Sequence, residues 1–193
     1  MRGNVKETIL DKFLRKYRIR MVKPTIEKYN NCKLLDIGCG WEAKLLKSIE
    51  NYIEYGVGID FKPPKLKTKK LETIEAVLDK ELPFEDESFD VVTMLAVLEH
   101  LNYPEDILKE IRRVLKKDGR LIITVPSKIA KPILEFMAYR MHIIDRIEIE
   151  DHKKYYNKKD ILEAAKISNF IIEKHKYFQL GCNNFAILKK NYN

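Results

Sequence analysis

Short apolar runs alternate with amphipathic stretches along most of this chain, and that alternation leaves few architectures open. Leu34, Leu35 and Ile37 mark a first strand over residues 33–37, broken at once by Gly38 and Gly40. Ala43, Leu45, Leu46 and Ile49 then repeat at helical spacing. Further strands are expected at 55–60, 73–78, 89–95 and 121–125. The helix before 121–125 is the best marked. Pro104 suits its first position, where a missing N–H costs nothing. Glu105 and Asp106 complement the positive end of its dipole, and Lys116 and Lys117 the negative end. Ile107, Leu108, Ile111, Val114 and Leu115 form one apolar stripe, and Gly119 is expected to end the helix in a left-handed conformation.

After Pro126 the pattern changes. Residues 133–144 read as a strongly apolar helix, and Asn157 with Asp160 forms a capping pair for another. Residues 170–178 and 184–188 read as two strands close enough for a hairpin through Gly181. The order predicts an α/β fold: a doubly wound, mostly parallel seven-stranded sheet with an antiparallel terminal strand. The 193 residues suit one domain, 1–193, with an amphipathic N-terminal helix over 5–30 (Ile9, Leu10, Phe13, Leu14, Tyr17) and an inserted lid over 128–157.

Composition narrows the class. Hydrophobic residues at 45% exclude a disordered chain, and no apolar run reaches the roughly 18 residues of a membrane span. The N-terminus leads into no apolar signal region. Cys32, Cys39 and Cys182 cannot all pair and lack metal-ligand spacing, which suits a reducing, cytoplasmic setting. A net charge of +8, densest over residues 62–70, fits nucleic acid, an anionic membrane surface, or simply a solvated lysine face.

The first strand's end carries Asp36, Gly38, Cys39 and Gly40, and the second strand ends in Asp60. Ligands of such sheets bind beyond the carboxyl ends of the strands. Glycines let the backbone turn tightly against a ligand, and an acid ending the second strand suits ribose hydroxyls. These residues together point to an adenosine-containing ligand.

Leu34-Leu35-Asp36-Ile37-Gly38-Cys39-Gly40 resembles the first motif of class I S-adenosylmethionine methyltransferases. The stretch from Leu82-Pro83-Phe84 to Ser88-Phe89-Asp90, then Leu98-Glu99-His100, resembles the segments around their fourth strand. The similarity runs in order from Leu34 to Ser127, and the methyltransferase type 11 group, related to quinone-methylating enzymes, fits best. The resemblance implies a Rossmann-like methyltransferase fold and S-adenosylmethionine as cofactor. It implies that Asp36 orients the methionine amino group, with Gly38, Cys39 and Gly40 beneath the methionyl part. Asp60 would hold the ribose, Phe61 and Asp79 with the backbone of Lys80 the adenine, and the backbone of Leu95 the methionyl part. Two departures stand out: Glu42 replaces a frequent third glycine, and a short Pro- and Lys-rich segment replaces a longer helix after Asp60. A nicotinamide cofactor would want a glycine at Ala43 and leaves the later motifs unexplained.

Methyl transfer from a sulfonium is an in-line displacement, so alignment dominates and no metal is required. A general base helps where the acceptor must lose a proton. The candidates are His100, after the fourth strand, and His152, in a segment with Asp151 and Tyr155 where related enzymes carry histidine and aromatics. Each has a bland alternative, a buried structural histidine or a solvated loop. Cys39 reads as scaffolding, Cys182 as a small buried residue, and Glu99 as a helix cap. The segment Thr93-Met94-Leu95-Ala96-Val97 lacks the Pro-Pro-aromatic run of nucleic-acid amino-methyltransferases, and no Pro-Cys nucleophile is present. A small-molecule acceptor, apolar or lipid-linked to suit residues 129–149, is therefore expected. An RNA-directed enzyme and a non-catalytic cofactor-binding module remain as alternatives.

Overall fold

Strands that are apolar on both sides must be covered on both sides, and here they are. The computed structural model describes residues 9–29, 31–78, 81–140 and 146–192. Seven strands, β1 (Cys32–Ile37), β2 (Ile53–Asp60), β3 (Leu71–Glu75), β4 (Phe89–Leu95), β5 (Leu115–Pro126), β6 (Phe170–Phe178) and β7 (Asn183–Lys190), form one sheet in the order β3-β2-β1-β4-β5-β7-β6. The first five run parallel, while β7 is antiparallel to both β5 and β6. Among the described residues six α-helices accompany them: α1 (Ile9–Glu27), α2 (Lys44–Ile49), α3 (Pro104–Val114), α4 (Ala130–Tyr139), α5 (Arg146–Glu150) and α6 (Lys158–Ile167).

Strand parity divides the core. Leu35, Ile37, Val92, Met94, Leu121 and Ile123 face α3 and α6, whereas Leu34, Val91 and Ile122 face α1 and α2. Each such buried aliphatic contributes about 1.5–3 kcal/mol. Helix α6 starts as expected: the Asn157 side chain accepts from the Asp160 N–H at 2.9 Å, and Asp160 accepts from the Asn157 N–H at 2.7 Å.

Several boundaries differ from expectation. β3 spans Leu71–Glu75 and not 73–78, because its partner β2 ends at Asp60, opposite Glu75, and the Ala76 N–H, donating to the Asp60 carbonyl at 2.9 Å, makes the last bond between them. α3 ends at Val114, and Leu115 is already extended (φ −70°, ψ 139°), so Lys116 and Lys117 lie in β5 and not in a helical turn. Gly119 is no left-handed stop. A Cβ there would come within 3.0 Å of the Asp90 carbonyl oxygen, so it serves close backbone approach beside a register shift between β4 and β5. The expected helix over 133–144 begins earlier, at Ala130, and ends at Tyr139; residues 141–145 lie outside the described residues. Of the helix expected over 5–30, Ile9–Glu27 is helical; residues 1–8 and 30 lie outside the described residues.

As expected, no helix fills the connection after Asp60. The basic segment folds back on β3 instead. The Leu66 N–H donates to Thr73 Oγ1 at 3.0 Å, Lys67 pairs with Glu72, and Lys70 Nζ donates to the Ile53 carbonyl at 3.0 Å.

Candidate cofactor and acceptor site

In the strand order β1 lies between β2 and β4, so chain connections leave it in opposite directions and a crevice opens above its carboxyl end. The glycine loop fills the floor of that crevice. Gly38 and Gly40 have φ of +73° and +69°, which side-chain-bearing residues rarely adopt. Gly38 is doubly constrained, since a Cβ there would lie 2.2 Å from Val97 Cγ2, while around Gly40 the space is open. The N–H groups of Gly38 and Cys39 donate to the Ile59 carbonyl at 2.8 and 3.1 Å. The left-handed turn that starts α2 falls on Ala43 (φ 48°).

Two carboxylates organise the loop. Asp60 accepts from the Gly40 N–H at 2.9 Å and from the Lys62 N–H at 3.2 Å. Asp36 is 3% exposed and accepts from Thr93 Oγ1 at 2.7 Å, across the β1–β4 pairing. Burial pushes its carboxyl up to about 7; the Thr93 hydroxyl opposes that shift and nearby Asp60 adds to it. A buried carboxyl of this kind is ready to meet a cationic amine. Cys39 turns back toward β2, where its Sγ would lie 2.8 Å from a Cβ on Gly58. Burial and the two aspartates raise its thiol pKa, which fits scaffolding and not nucleophilic chemistry. Phe61 is 47% exposed just past Asp60, and Leu95 ends β4 half-buried. Asp79 and Lys80 lie outside the described residues.

Val97, packed on Gly38, leads into a 3-10 turn, Leu98–His100, so His100 stands one turn from the glycine loop. The His100 N–H donates to the Val97 carbonyl at 2.9 Å. The Lys153 N–H donates to the Glu99 carbonyl at 2.7 Å and brings the distant 151–155 segment against this turn. Asp151 Oδ2 then lies 3.0 Å from His100 Nδ1. The rings of His100 and His152 meet edge to face at 4.7 Å, and His152 Nδ1 is 3.0 Å from the Tyr155 hydroxyl. Both proposed histidines therefore share one cluster. In sequence Asp151 reads as part of a candidate segment or of a solvated loop, and Glu99 as a helix cap. Glu99 is instead 1% exposed, and its carboxylate with His100 and His152 brings ligand atoms within 4.8 Å of one another, a set that could hold a divalent ion. Beside the cluster a cleft of about 530 Å³ is lined by His152, Tyr155, Tyr139, Lys128, Lys131 and Lys154, among others.

A seven-stranded α/β sheet with a single antiparallel hairpin, a glycine loop after β1 and an acid ending β2 defines a nucleoside-binding domain of the methyltransferase kind. Residues 35–123 match the family described as "Methyltransferase domain". An uncharacterised protein of Methanocaldococcus jannaschii is 39% identical over 53% of this chain and 46% of its own length. A ubiquinone biosynthesis O-methyltransferase of Pelagibacter ubique is 28% identical over 91% of this chain and 78% of its own. The chain thus spans less than half of the first relative. Among solved structures, the 1,6-didemethyltoxoflavin-N1-methyltransferase of Burkholderia thailandensis, which holds S-adenosylhomocysteine, superposes with a TM-score of 0.69. Its identity is 13%, over 94% of this chain and 81% of that one. The family match over residues 35–123 and these relatives support a class I S-adenosylmethionine-dependent methyltransferase.

Proposed function

We propose that this chain transfers a methyl group from S-adenosylmethionine to a small-molecule acceptor. The observation that carries the reading is the adjacency of the glycine loop and the His100 cluster, joined through Val97. The residues fit the cofactor: Gly40 leaves open space where a ligand would lie, and the Asp60 carboxylate stands over the same loop. Asp60 would hold ribose hydroxyls, and Asp36 the methionine amino group, with Gly38, Cys39 and Leu95 along the methionyl part. Phe61, Asp79 and Lys80 would bound the adenine. When bound, S-adenosylmethionine supplies an activated methyl on a sulfonium.

The chain's own contribution is alignment and proton handling. Asp151 against Nδ1 of His100 favours the tautomer protonated there, which puts the lone pair on Nε2. His100 in that form accepts the acceptor's proton, and His152, steadied by Tyr155, lines the path. A base so placed contributes roughly 10²–10⁴-fold. Lys67 and Lys70 contact their own chain, which favours a small acceptor over an RNA phosphate backbone.

The test is an assay with S-adenosylmethionine labelled in the methyl group, offered to hydroxylated aromatic and quinol-type acceptors and to metabolite extracts. Transfer that falls at least a hundredfold in His100→Ala, with S-adenosylhomocysteine affinity retained, supports the reading. Cofactor binding with no transfer to any acceptor would point to a binding module instead.

A further inference from the structure

Glu99 and His100 are neighbours in the 3-10 turn Leu98–His100. The Lys153 N–H, donating to the Glu99 carbonyl at 2.7 Å, brings His152 against them from beyond α5. One ligand atom from each of Glu99, His100 and His152 lies within 4.8 Å of the other two. Bonds of about 2.0–2.2 Å to a tetrahedral ion put ligand atoms roughly 3.3–3.6 Å apart. Small rotations of the two half-buried rings toward the buried Glu99 are enough to close such a set.

Two features separate these residues from an ordinary polar cluster. Each ring has its Nδ1 engaged by a further group: Asp151 Oδ2 lies 3.0 Å from that of His100, and the Tyr155 hydroxyl 3.0 Å from that of His152. Nε2 of each ring is left as the ligand, and groups of this kind behind metal-binding histidines are what aim them. The second feature is charge. The Glu99 carboxylate is 1% exposed, and Asp151 stands beside the same rings, so two acids gather around imidazoles. Lys153 answers Asp151 only at 3.9 Å. A proton shared within the cluster balances one charge, whereas a divalent cation balances both and uses every lone pair. Two imidazoles and a carboxylate suit zinc and its neighbours in the first transition row, not magnesium or calcium, which take oxygen ligands. Three protein ligands leave a position open, and His152 lines the cleft of about 530 Å³ beside it.

We propose that Glu99, His100 and His152 hold a divalent ion of the zinc class, and that the acceptor's hydroxyl oxygen takes its open position. The ion site stands on its own geometry, while the acceptor's place on it rests on methyl transfer being the reaction. A hydroxyl bound there loses its proton near neutral pH. The O–H bond breaks, the proton goes to water, and the electron pair stays on oxygen. That oxygen attacks the methyl carbon, and sulfur keeps the pair of the broken S–C bond, which gives the methyl ether and S-adenosylhomocysteine. In the loaded protein Nε2 of His100 is a ligand, and the ion replaces it in removing the acceptor's proton.

The experiment begins with the full chain freed of metal by a chelator and dialysed. Cobalt(II) serves as the visible probe and zinc as the calorimetric one. A single equivalent of each is expected to bind, with a cobalt spectrum typical of nitrogen and oxygen ligands. His152→Ala and Glu99→Gln should each weaken binding at least about a hundredfold, and Asp151→Asn, which touches only the ring behind the ion, about 10–100-fold. Unchanged S-adenosylhomocysteine affinity in each variant shows that the fold survives. Transfer to hydroxylated acceptors should fall when the ion is removed and return when zinc or cobalt is restored. Absence of binding overturns the proposal, as does equal binding by folded His152→Ala or a cobalt spectrum carrying thiolate charge transfer from a cysteine. Transfer that depends on His100 but ignores the ion overturns it too, and leaves His100 as the base. Specific binding with no transfer to any acceptor upholds the ion site and removes methyl transfer instead.

Discussion

Asp36 is a buried acid whose ordinary charge is costly where it sits, and its pKa near 7 makes that cost measurable. A carboxyl raised in the folded state holds its proton more tightly there than in the unfolded chain. Between the unfolded value near 4 and about 7, the folded protein therefore binds more protons, and stability falls as pH rises. A methionine ammonium beside Asp36 favours the carboxylate, so binding below about pH 7 should release a proton. Titration calorimetry at about pH 6 in buffers of different ionisation enthalpy should show that release, and Asp36→Asn should abolish it. At Asp60 the expectation concerns affinity. Asp60→Ala removes two ribose hydrogen bonds of about 1.5–3 kcal/mol each, which lowers S-adenosylhomocysteine affinity by roughly two to four powers of ten. Unchanged affinity in a folded variant would move Asp60 away from the ribose. The positions of both aspartates were legible, Asp36 one residue before the end of β1 and Asp60 at the end of β2, each at the carboxyl edge of the sheet. Asp151 was not, since no periodicity pairs a residue with one fifty positions earlier; the Lys153–Glu99 backbone hydrogen bond makes that pairing. The tautomer of His100 reports on it. Nitrogen chemical shifts should place the proton on Nδ1 in the parent protein, and Asp151→Ala should move population toward Nε2–H.

At the scale of elements, Glu42 belongs to the contact between α1 and the cofactor loop. In sequence Glu42 stands where the resembling family often has a glycine, which leaves its carboxylate either crowding the cofactor or pointing outward. The structure turns it outward, 2.8 Å from Lys44 Nζ and 3.5 Å from Arg15 of α1, and the Lys44 interaction lowers its pKa. Gln179 of the β6–β7 hairpin also donates to the Leu14 carbonyl at 3.3 Å, and Tyr17 stacks on Phe178. Glu42→Gly should therefore leave cofactor affinity within a few fold while speeding amide exchange in α1, as exposed ion pairs are worth only about 0–1 kcal/mol. A large loss of affinity would instead show that Glu42 contacts the cofactor. The strand and helix identities followed from apolar period, but the end of α3 did not. A glycine five residues past Val114 looks like a helix stop in sequence, and only the pairing of Leu115 with Phe89 shows that the chain has already entered the sheet. The α4–α5 segment offers a sharper contrast. Its cluster is small and separate, so its amides should exchange well before those of β1 and β4 in cofactor-bound protein, as measured by hydrogen exchange with mass spectrometry. Protection equal to that of the sheet would make it a fixed part of the core.

For the whole molecule, the sheet order connects fold to ligand. The doubly wound character was readable from alternation, and so was the terminal hairpin; the insertion of β7 between β5 and β6 depends on the antiparallel pairing of Arg120–Pro126 with Asn183–Lys189, which no local pattern encodes. That order fixes β1 and β4 at the centre and sets the ligand crevice between chain connections that diverge from them. In the proposed binding mode the cofactor would touch β1, the β2 end and the β4 end at once, three strands already tied through Thr93–Asp36 and Gly40–Asp60. A ligand bridging them binds only the folded chain and stabilises it by mass action, about 2.7 kcal/mol at one hundred times Kd. For a chain of this length each kcal/mol raises Tm by roughly 2–4 °C. Saturating S-adenosylhomocysteine should thus raise Tm by about 5–10 °C in differential scanning calorimetry, and the rise should grow with the logarithm of ligand concentration. NAD at the same concentration should leave Tm unchanged, because its pyrophosphate would have to cross the loop where Val97 closes on Gly38. A rise with NAD and none with S-adenosylhomocysteine would mean that the crevice takes a dinucleotide, and the roles given to Asp36 and His100 would fall with it.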